Sequence, residues 1–196
     1  MNFEEGIRNE NKAKKVITWS AIYLVTSWLS VLAEILNPNS DDFKITDLLY
    51  FLVVPAMITS IIFTWHWLRS VVISAQSIDP AGIGYRQGWA FWGWVTPLAA
   101  YWVPRRLVDR SQTVFTSKLG QVNSLQLRVW WGCWVASEIV DTLNFRASMA
   151  ESKGAVYLSI LSAILLTIAF PKWKLIVETV SKNQRNVLSK VQTESA

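Results

Sequence analysis

The chain has 196 residues, of which 52% are hydrophobic and 17% are charged, and its formal net charge is +5. Soluble domains average about 25% charged residues, and the basic residues here flank apolar runs, so the composition argues against nucleic-acid binding and indicates one membrane domain that contacts anionic lipids. The single cysteine and the single histidine exclude an internal disulfide, a cysteine-based zinc site and a multi-histidine metal site, and we expect no cofactor.

Two apolar runs in the first third of the chain predict transmembrane helices. Residues 1–15 are polar and of mixed charge, and we expect a short cytosolic arm there. Residues 16–36 and 48–68 follow, and each run matches the roughly 20 apolar residues that cross a bilayer core. Pro55 lies inside the second run and predicts a kink, which neighbouring membrane helices tolerate.

A tryptophan-rich stretch at residues 89–104 is too short and too interrupted for a simple span. Pro97 lies near its middle, and its length falls below the roughly 17–25 residues that a transmembrane helix needs. We expect a helical element that re-enters the membrane or lies in the interface, where indole rings collect. The tryptophans predicted to act as interface anchors are Trp89, Trp92, Trp94, Trp102, Trp130 and Trp131.

Two more apolar runs complete the membrane domain, which is expected to cover residues 16–175. The third and fourth spans are predicted at residues 129–147 and 155–173, and residues 176–196 form a basic, amphipathic cytosolic tail. An alternative with five spans treats residues 89–104 as a tilted crossing. Four spans place most lysines and arginines on the cytosolic side, whereas five spans divide them nearly evenly. We therefore expect an all-α bundle of four transmembrane helices with both termini in the cytosol.

Two acidic residues in the third predicted span are the leading candidates for chemistry. Glu138 and Asp141 lie three residues apart, so they share one helical face near mid-membrane. A carboxylate there costs about 2.5–3.5 kcal/mol on insertion scales, so it should face the bundle interior. The pair either forms a proton or cation site or holds helices together as protonated or paired acids, with Ser137, Asn144 and Arg146 as expected partners.

Three arginines and the single histidine are further candidates. Arg105, Arg106 and Arg110 follow the tryptophan-rich stretch and are expected to bind lipid phosphates, with a specific anionic ligand or a partner protein as alternatives. His66 is interpreted as an interfacial polar residue, or alternatively as a pH-responsive group or a neighbour of a haem or quinone. No phosphate-binding glycine loop, H-E-x-x-H or G-x-S-x-G motif occurs, so we do not expect an enzyme of a known motif class.

The pattern around the tryptophans resembles a known family. The segment "WHWLRS" precedes it, the segment "VWWGCW" follows it, and the last span leads into a basic helix with a Gln-Arg pair. The single residues that carry the resemblance are Trp94, Pro97, Pro104, Arg105, Arg106, Gln184 and Arg185. Together these features resemble the bacterial membrane family called domain of unknown function 4328, which is common in actinobacteria, over roughly residues 45–187. The resemblance implies a membrane architecture and brings no established activity, substrate or cofactor.

The function expected from these features is that of a non-catalytic accessory or scaffolding subunit of a larger membrane complex. Small size, many aromatic residues and few catalytic groups favour this role, for example in a respiratory or export assembly of the bacterial inner membrane. Membrane lipids and a protein partner, or a second copy of the chain, are the expected binding partners. The alternatives are a small ion or solute transporter or channel that uses the two acids, and a lipid-binding membrane protein that uses the arginines.

Overall fold

The structure is a computed structural model that describes residues 3–36, 45–96, 98–150 and 154–194. Within these ranges the chain forms seven α-helices and one 3₁₀ turn and contains no β-strand, which confirms the all-α class. Some predicted features lie outside the described residues, namely residues 1–2 of the arm, Pro97, the inter-span residues 37–44 and 151–153, and residues 195–196 of the tail.

Three of the helices contain stretches that are long and apolar enough to cross a membrane, which are Arg8–Leu36, Phe51–Ile78 and Ala155–Thr193. The third predicted span corresponds to a helix of 23 residues, which is also long enough, but its charged residues make it more polar than these three stretches. The helices are α1 (Phe3–Leu36), α2 (Ile45–Ile78), α3 (Pro80–Ile83), α4 (Trp89–Val95), α5 (Val103–Leu119), α6 (Leu127–Met149) and α7 (Ala155–Glu194), and the 3₁₀ turn is Ala99–Tyr101.

Helices α1 and α7 are longer than a bilayer core is thick. At 1.5 Å per residue, the 34 residues of α1 extend about 51 Å and the 40 residues of α7 about 60 Å, against a hydrocarbon core of about 30 Å. The described parts of the predicted arm and tail therefore continue the first and last spans as the same helices. No proline separates the arm from the first span, and α7 continues through Pro171.

The chain divides into two compact units. Unit 1 comprises Met1–Ile17, Ile62–Leu127 and Lys174–Ala196. Unit 2 comprises Thr18–Ile61 and Arg128–Trp173. Helices α1, α2 and α7 each contribute residues to both units.

Unit 1 is built around buried apolar side chains. Trp67 of α2 and Phe115 of α5 are fully buried, and Val180 and Val187 of α7 pack into the same unit without exposure. The indole nitrogen of Trp67 donates a hydrogen bond to Ser181 Oγ at 2.9 Å. The apolar face of the predicted tail is therefore covered by protein, which explains its amphipathic pattern without contact with a membrane surface.

Unit 2 has an apolar exterior. Val25 and Leu29 of α1, and Leu161 and Ile168 of α7, are each more than two-fifths exposed. Lipid tails do not penalise such exposure as water does, so this exterior is typical of a membrane domain.

Trp67 and His66 are neighbours on α2 that differ in burial, so they provide a paired test of the core of unit 1. Trp67 is fully buried and His66 is exposed. We expect Trp67→Ala to lower the free energy of unfolding by about 3–5 kcal/mol, because it leaves a cavity and removes the bond to Ser181, and His66→Ala to change it by less than about 1 kcal/mol. Thermal unfolding in detergent, followed by circular dichroism, measures both values. Equal effects would contradict this core.

Candidate functional site

The two acidic candidates on α6 meet side chains from two other helices of unit 2. The Asp141 carboxylate lies within hydrogen-bonding range of the Ser162 hydroxyl of α7. Tyr23 of α1 lies close enough to both Asp141 and Glu138 for the carboxylates to act electrostatically on its phenol group. Ser162 is buried, and both carboxylates are half-buried. We call these four residues the acidic cluster.

Two of the three partners that the sequence predicted for the acids form hydrogen bonds to other groups, and the third is exposed. Ser137 Oγ donates to a backbone carbonyl of the preceding helical turn at 2.7 Å. Asn144 Nδ2 donates to Ser159 Oγ at 2.9 Å, and Arg146 is exposed. The partners in the structure come from α1 and α7, which are distant along the chain, so spacing within α6 carried no signal for them.

The acidic cluster offers only oxygen atoms as ligands. Carboxylate, phenol and hydroxyl oxygens suit a proton or a hard cation. Among the described residues, no three or more His, Cys, Asp or Glu side chains are grouped so that they could hold a metal ion. Carboxyl groups beside a phenol and a hydroxyl can hold a proton and form hydrogen bonds with these neighbours.

Helix α4 and the 3₁₀ turn of unit 1 place small residues inward. Ala90, Gly93 and Ala99 are buried. A β-carbon added at Gly93 would lie 2.8 Å from Val103 Cγ1 at the start of α5, so glycine is what permits this close packing of α4 on α5.

The outward side of the same element carries large apolar side chains, each at least 37% exposed. We call them the aromatic surface, which consists of Trp89, Phe91, Trp92, Val95, Leu98, Tyr101 and Trp102. Trp65 of α2 extends this surface, because its ring lies 5.1 Å from that of Phe91. The exposed His66 packs against Trp65 with ring centroids 4.5 Å apart and the ring planes tilted by 35°, so it borders the aromatic surface.

The tryptophan-rich stretch does not form a span. Helix α4 has seven residues and extends about 10 Å, and the 3₁₀ turn and α5 follow as separate elements. The five-span alternative therefore lacks a helix that could cross a core of about 30 Å.

The six tryptophans predicted as interface anchors fall into different environments. Three of them belong to the aromatic surface, and Trp94 is half-buried. Trp130 and Trp131 lie in unit 2 and are only 4% and 6% exposed. Trp130 stacks on Trp173 with ring centroids 4.6 Å apart. The expectation for Trp130 and Trp131 is corrected accordingly, since neighbouring protein side chains cover both rings.

The three candidate arginines near the start of α5 have different surroundings. Arg110 Nη1 donates to the backbone carbonyl of Ile83 at 2.7 Å, and its guanidinium lies 5.1 Å from the centre of the Tyr85 ring. Arg110 therefore holds the loop after α3 against α5. Arg105 is half-buried and Arg106 is exposed, so these two are better placed to meet a phosphate.

The family comparison covers the elements described above. Residues 39–179 match the family model described as Domain of unknown function (DUF4328). The chain belongs to this family. The DUF4328 match confirms the resemblance seen in the sequence, and its range includes the aromatic surface, the three arginines and both acids of α6, but ends before Gln184 and Arg185. No curated protein and no solved structure matches the chain.

Arg106 and Arg110 are one helical turn apart in this DUF4328 protein and give a matched pair of substitutions. We expect Arg110→Ala to lower the free energy of unfolding by about 1–2 kcal/mol, because it loses the bond to the Ile83 carbonyl and the contact with the Tyr85 ring. Arg106→Ala removes an exposed side chain, and its expected effect is below about 0.5 kcal/mol. Thermal unfolding of the two variants under identical detergent conditions is the measurement. If Arg106→Ala lowered the free energy of unfolding more than Arg110→Ala does, the proposed anchoring of the loop by Arg110 would be contradicted.

Proposed function

We propose that the protein crosses a bacterial inner membrane four times, with α6 as the additional span and with unit 1 and both termini in the cytosol. The length of α6 supports a fourth crossing, and the acidic cluster gives its two carboxylates polar neighbours within unit 2. Most of the 19 lysine and arginine residues fall in unit 1. Basic residues accumulate on the cytosolic side of membrane proteins, which supports this orientation.

Within that membrane, the proposed function is that of a non-catalytic accessory or scaffolding subunit, which binds a membrane protein partner through the aromatic surface. The observation that carries this proposal is the placement of small residues inward and aromatic residues outward on one element. Leaving seven large apolar side chains in water costs free energy, so a bound partner that covers them is stabilised by their burial.

The composition of the aromatic surface supports a protein partner. Aromatic residues and arginine are enriched at protein interfaces, and tryptophan, tyrosine and arginine dominate their energetic centres. Arg105 and Arg106 follow directly after Trp102 and supply the basic residues beside the aromatic centre. A second copy of the chain is the alternative occupant, and lipid head groups cover any part that the partner leaves open.

Two exposed residues of the aromatic surface, Trp92 and Leu98, are the test of partner binding. We expect the wild-type protein, extracted from its source membrane in mild detergent, to appear by native mass spectrometry in a larger complex. The double variant Trp92→Ser, Leu98→Ser should run alone, because loss of a tryptophan at the energetic centre of an interface weakens binding by about 2 kcal/mol or more, and loss of Leu98 removes further apolar contact.

The matched control for that experiment is Val122→Ser. Val122 is 89% exposed in unit 1 but is not part of the aromatic surface, so this variant should keep the complex. Recovery of the wild-type protein alone would overturn the proposed function. If the control and the double variant both lost the complex, the aromatic surface would no longer be supported as the site that binds the partner.

A second candidate function is the movement of protons or small cations by the acidic cluster. Two carboxylates on α6 meet Tyr23 and Ser162 from two other helices of the unit with the apolar exterior. Ionisable groups placed in this way mark proton and ion pathways in membrane proteins. The scaffolding proposal makes no use of these side chains, so the two functions are separable by experiment.

Reconstitution in liposomes that contain a pH-sensitive dye tests the second candidate. We expect proton or cation flux that falls at least about tenfold in Glu138→Gln and Asp141→Asn, because each variant removes one exchangeable negative charge. Glu34→Gln makes the same chemical change at a residue of α1 that is not part of the acidic cluster, and it should leave the flux unchanged. Absence of wild-type flux, or flux that both variants retain, would remove this function.

A further inference from the structure

A polar cleft in unit 1 has no role in either function proposed above. It has a volume of about 440 Å³ and lies between the second half of α5, the loop that follows and the final part of α7. This volume is within the range of about 300–1,000 Å³ that is typical of small-molecule sites. Every lining residue belongs to unit 1.

The buried part of the cleft is uncharged and polar. Gln112 and Thr116 of α5 are 2% and 3% exposed, and Asn183 of α7 is 9% exposed. Thr116 Oγ1 donates to the Gln112 backbone carbonyl at 2.9 Å, which leaves the hydroxyl oxygen as an acceptor. Amide and hydroxyl groups both donate and accept hydrogen bonds, so the floor of the cleft matches a ligand that does the same.

Gln112 supplies the observation that points to a ligand. Its side-chain oxygen Oε1 is buried and has no hydrogen-bond partner among the described residues. A buried acceptor without a donor costs stability, and native proteins contain few of them. The oxygen is covered in the structure as it stands, so a bound molecule that donates a hydroxyl hydrogen satisfies it once the Gln112 side chain turns toward the cleft.

Charged residues of the cleft lie at its exposed rim and balance each other. Glu178 and Lys182 of α7 are exposed, and Glu178 also lies 4.0 Å from Lys174 on the same helix. An anionic or cationic ligand that reached the floor would find no opposite charge there, so charge recognition is confined to the rim.

We propose that this cleft binds an uncharged, hydroxyl-rich molecule of about the size of a hexose or a cyclitol, with Gln112, Thr116 and Asn183 as the hydrogen-bonding floor. The proposal concerns unit 1 alone and does not depend on the scaffolding or transport functions. The same hydroxyl chemistry can come from a free sugar or from the head group of a glycosylated lipid.

The test uses the full chain in nanodiscs of unglycosylated phospholipid, because sugar-based detergents would compete for the site. Isothermal titration with glucose and with myo-inositol should give saturable binding of at least one of them. A parallel sample is prepared in nanodiscs that contain a monoglucosyl lipid, and its thermal unfolding is measured. If this lipid raises the unfolding temperature of the protein while the free sugars do not bind, the ligand is the head group of a lipid. Binding from either source supports the proposal.

Gln112→Met is the decisive variant. It keeps the length of the side chain and removes the unpartnered oxygen, so we expect stability to be retained while binding weakens by about five- to tenfold. Gln87→Met makes the same change at an exposed residue away from the cleft and should bind as the wild type does. Lys182→Gln should also bind normally, because an uncharged ligand does not need the rim charge.

Three outcomes would overturn the proposal. The first is the absence of binding of glucose, myo-inositol and the monoglucosyl lipid by the wild-type protein. The second is binding of glycine or inorganic phosphate in place of the sugars, which would show that charge recognition governs the cleft. The third is that Gln112→Met and Gln87→Met weaken ligand binding equally. If Gln112→Met fails to fold, Thr116→Val replaces it as the floor variant, and the same loss of binding is expected.

Discussion

Helices α1, α2 and α7 are each longer than the hydrocarbon core of a bilayer is thick, and the rest of the structure depends on this constraint. In the proposed arrangement across the membrane, the turns of each helix that exceed about 30 Å leave the lipid tails, and water surrounds those turns instead. Their apolar residues then require a protein-covered core, which Trp67, Phe115 and Val180 provide in unit 1. The same helices keep apolar side chains on the outside in unit 2, where lipid tolerates them. Along these three helices the apolar side chains are therefore covered by protein in unit 1 and exposed on the outside in unit 2.

Hydropathy predicted those features of the fold that depend on composition alone. The three apolar spans were predictable because about 20 consecutive apolar residues have few other uses, and the interruption at residues 89–104 followed from its proline and its short length. Helix α5 was missed, because its buried pair Leu107 and Val108 is separated from Phe115 by mostly charged and polar residues that gave the segment a polar, loop-like composition. The burial of Trp130 was also missed, since an indole ring fits a protein interior and a membrane interface equally well.

The candidate sites show a similar division between local and long-range information. The shared face of Glu138 and Asp141 follows from helical spacing, so the sequence was enough to pair them. Their neighbours Tyr23 and Ser162 are more than a hundred and about twenty residues away along the chain, and only the packing of α1 and α7 brings them close. Likewise, the role of Arg110 depends on the carbonyl of Ile83 at the end of α3, which no residue pattern identifies.

The packing of α4 also has a consequence for the amount of protein that a cell can maintain. Gly93 and the small residues beside it hold α4 so closely on α5 that its aromatic side chains cannot turn inward and hide. Under the proposed scaffolding function, a copy made in excess of its partner keeps an apolar surface open, and such surfaces lead to aggregation and to recognition by quality-control proteases. The proposed function therefore predicts that the abundance of this protein in the membrane follows that of its partner, so that the same surface links assembly to turnover.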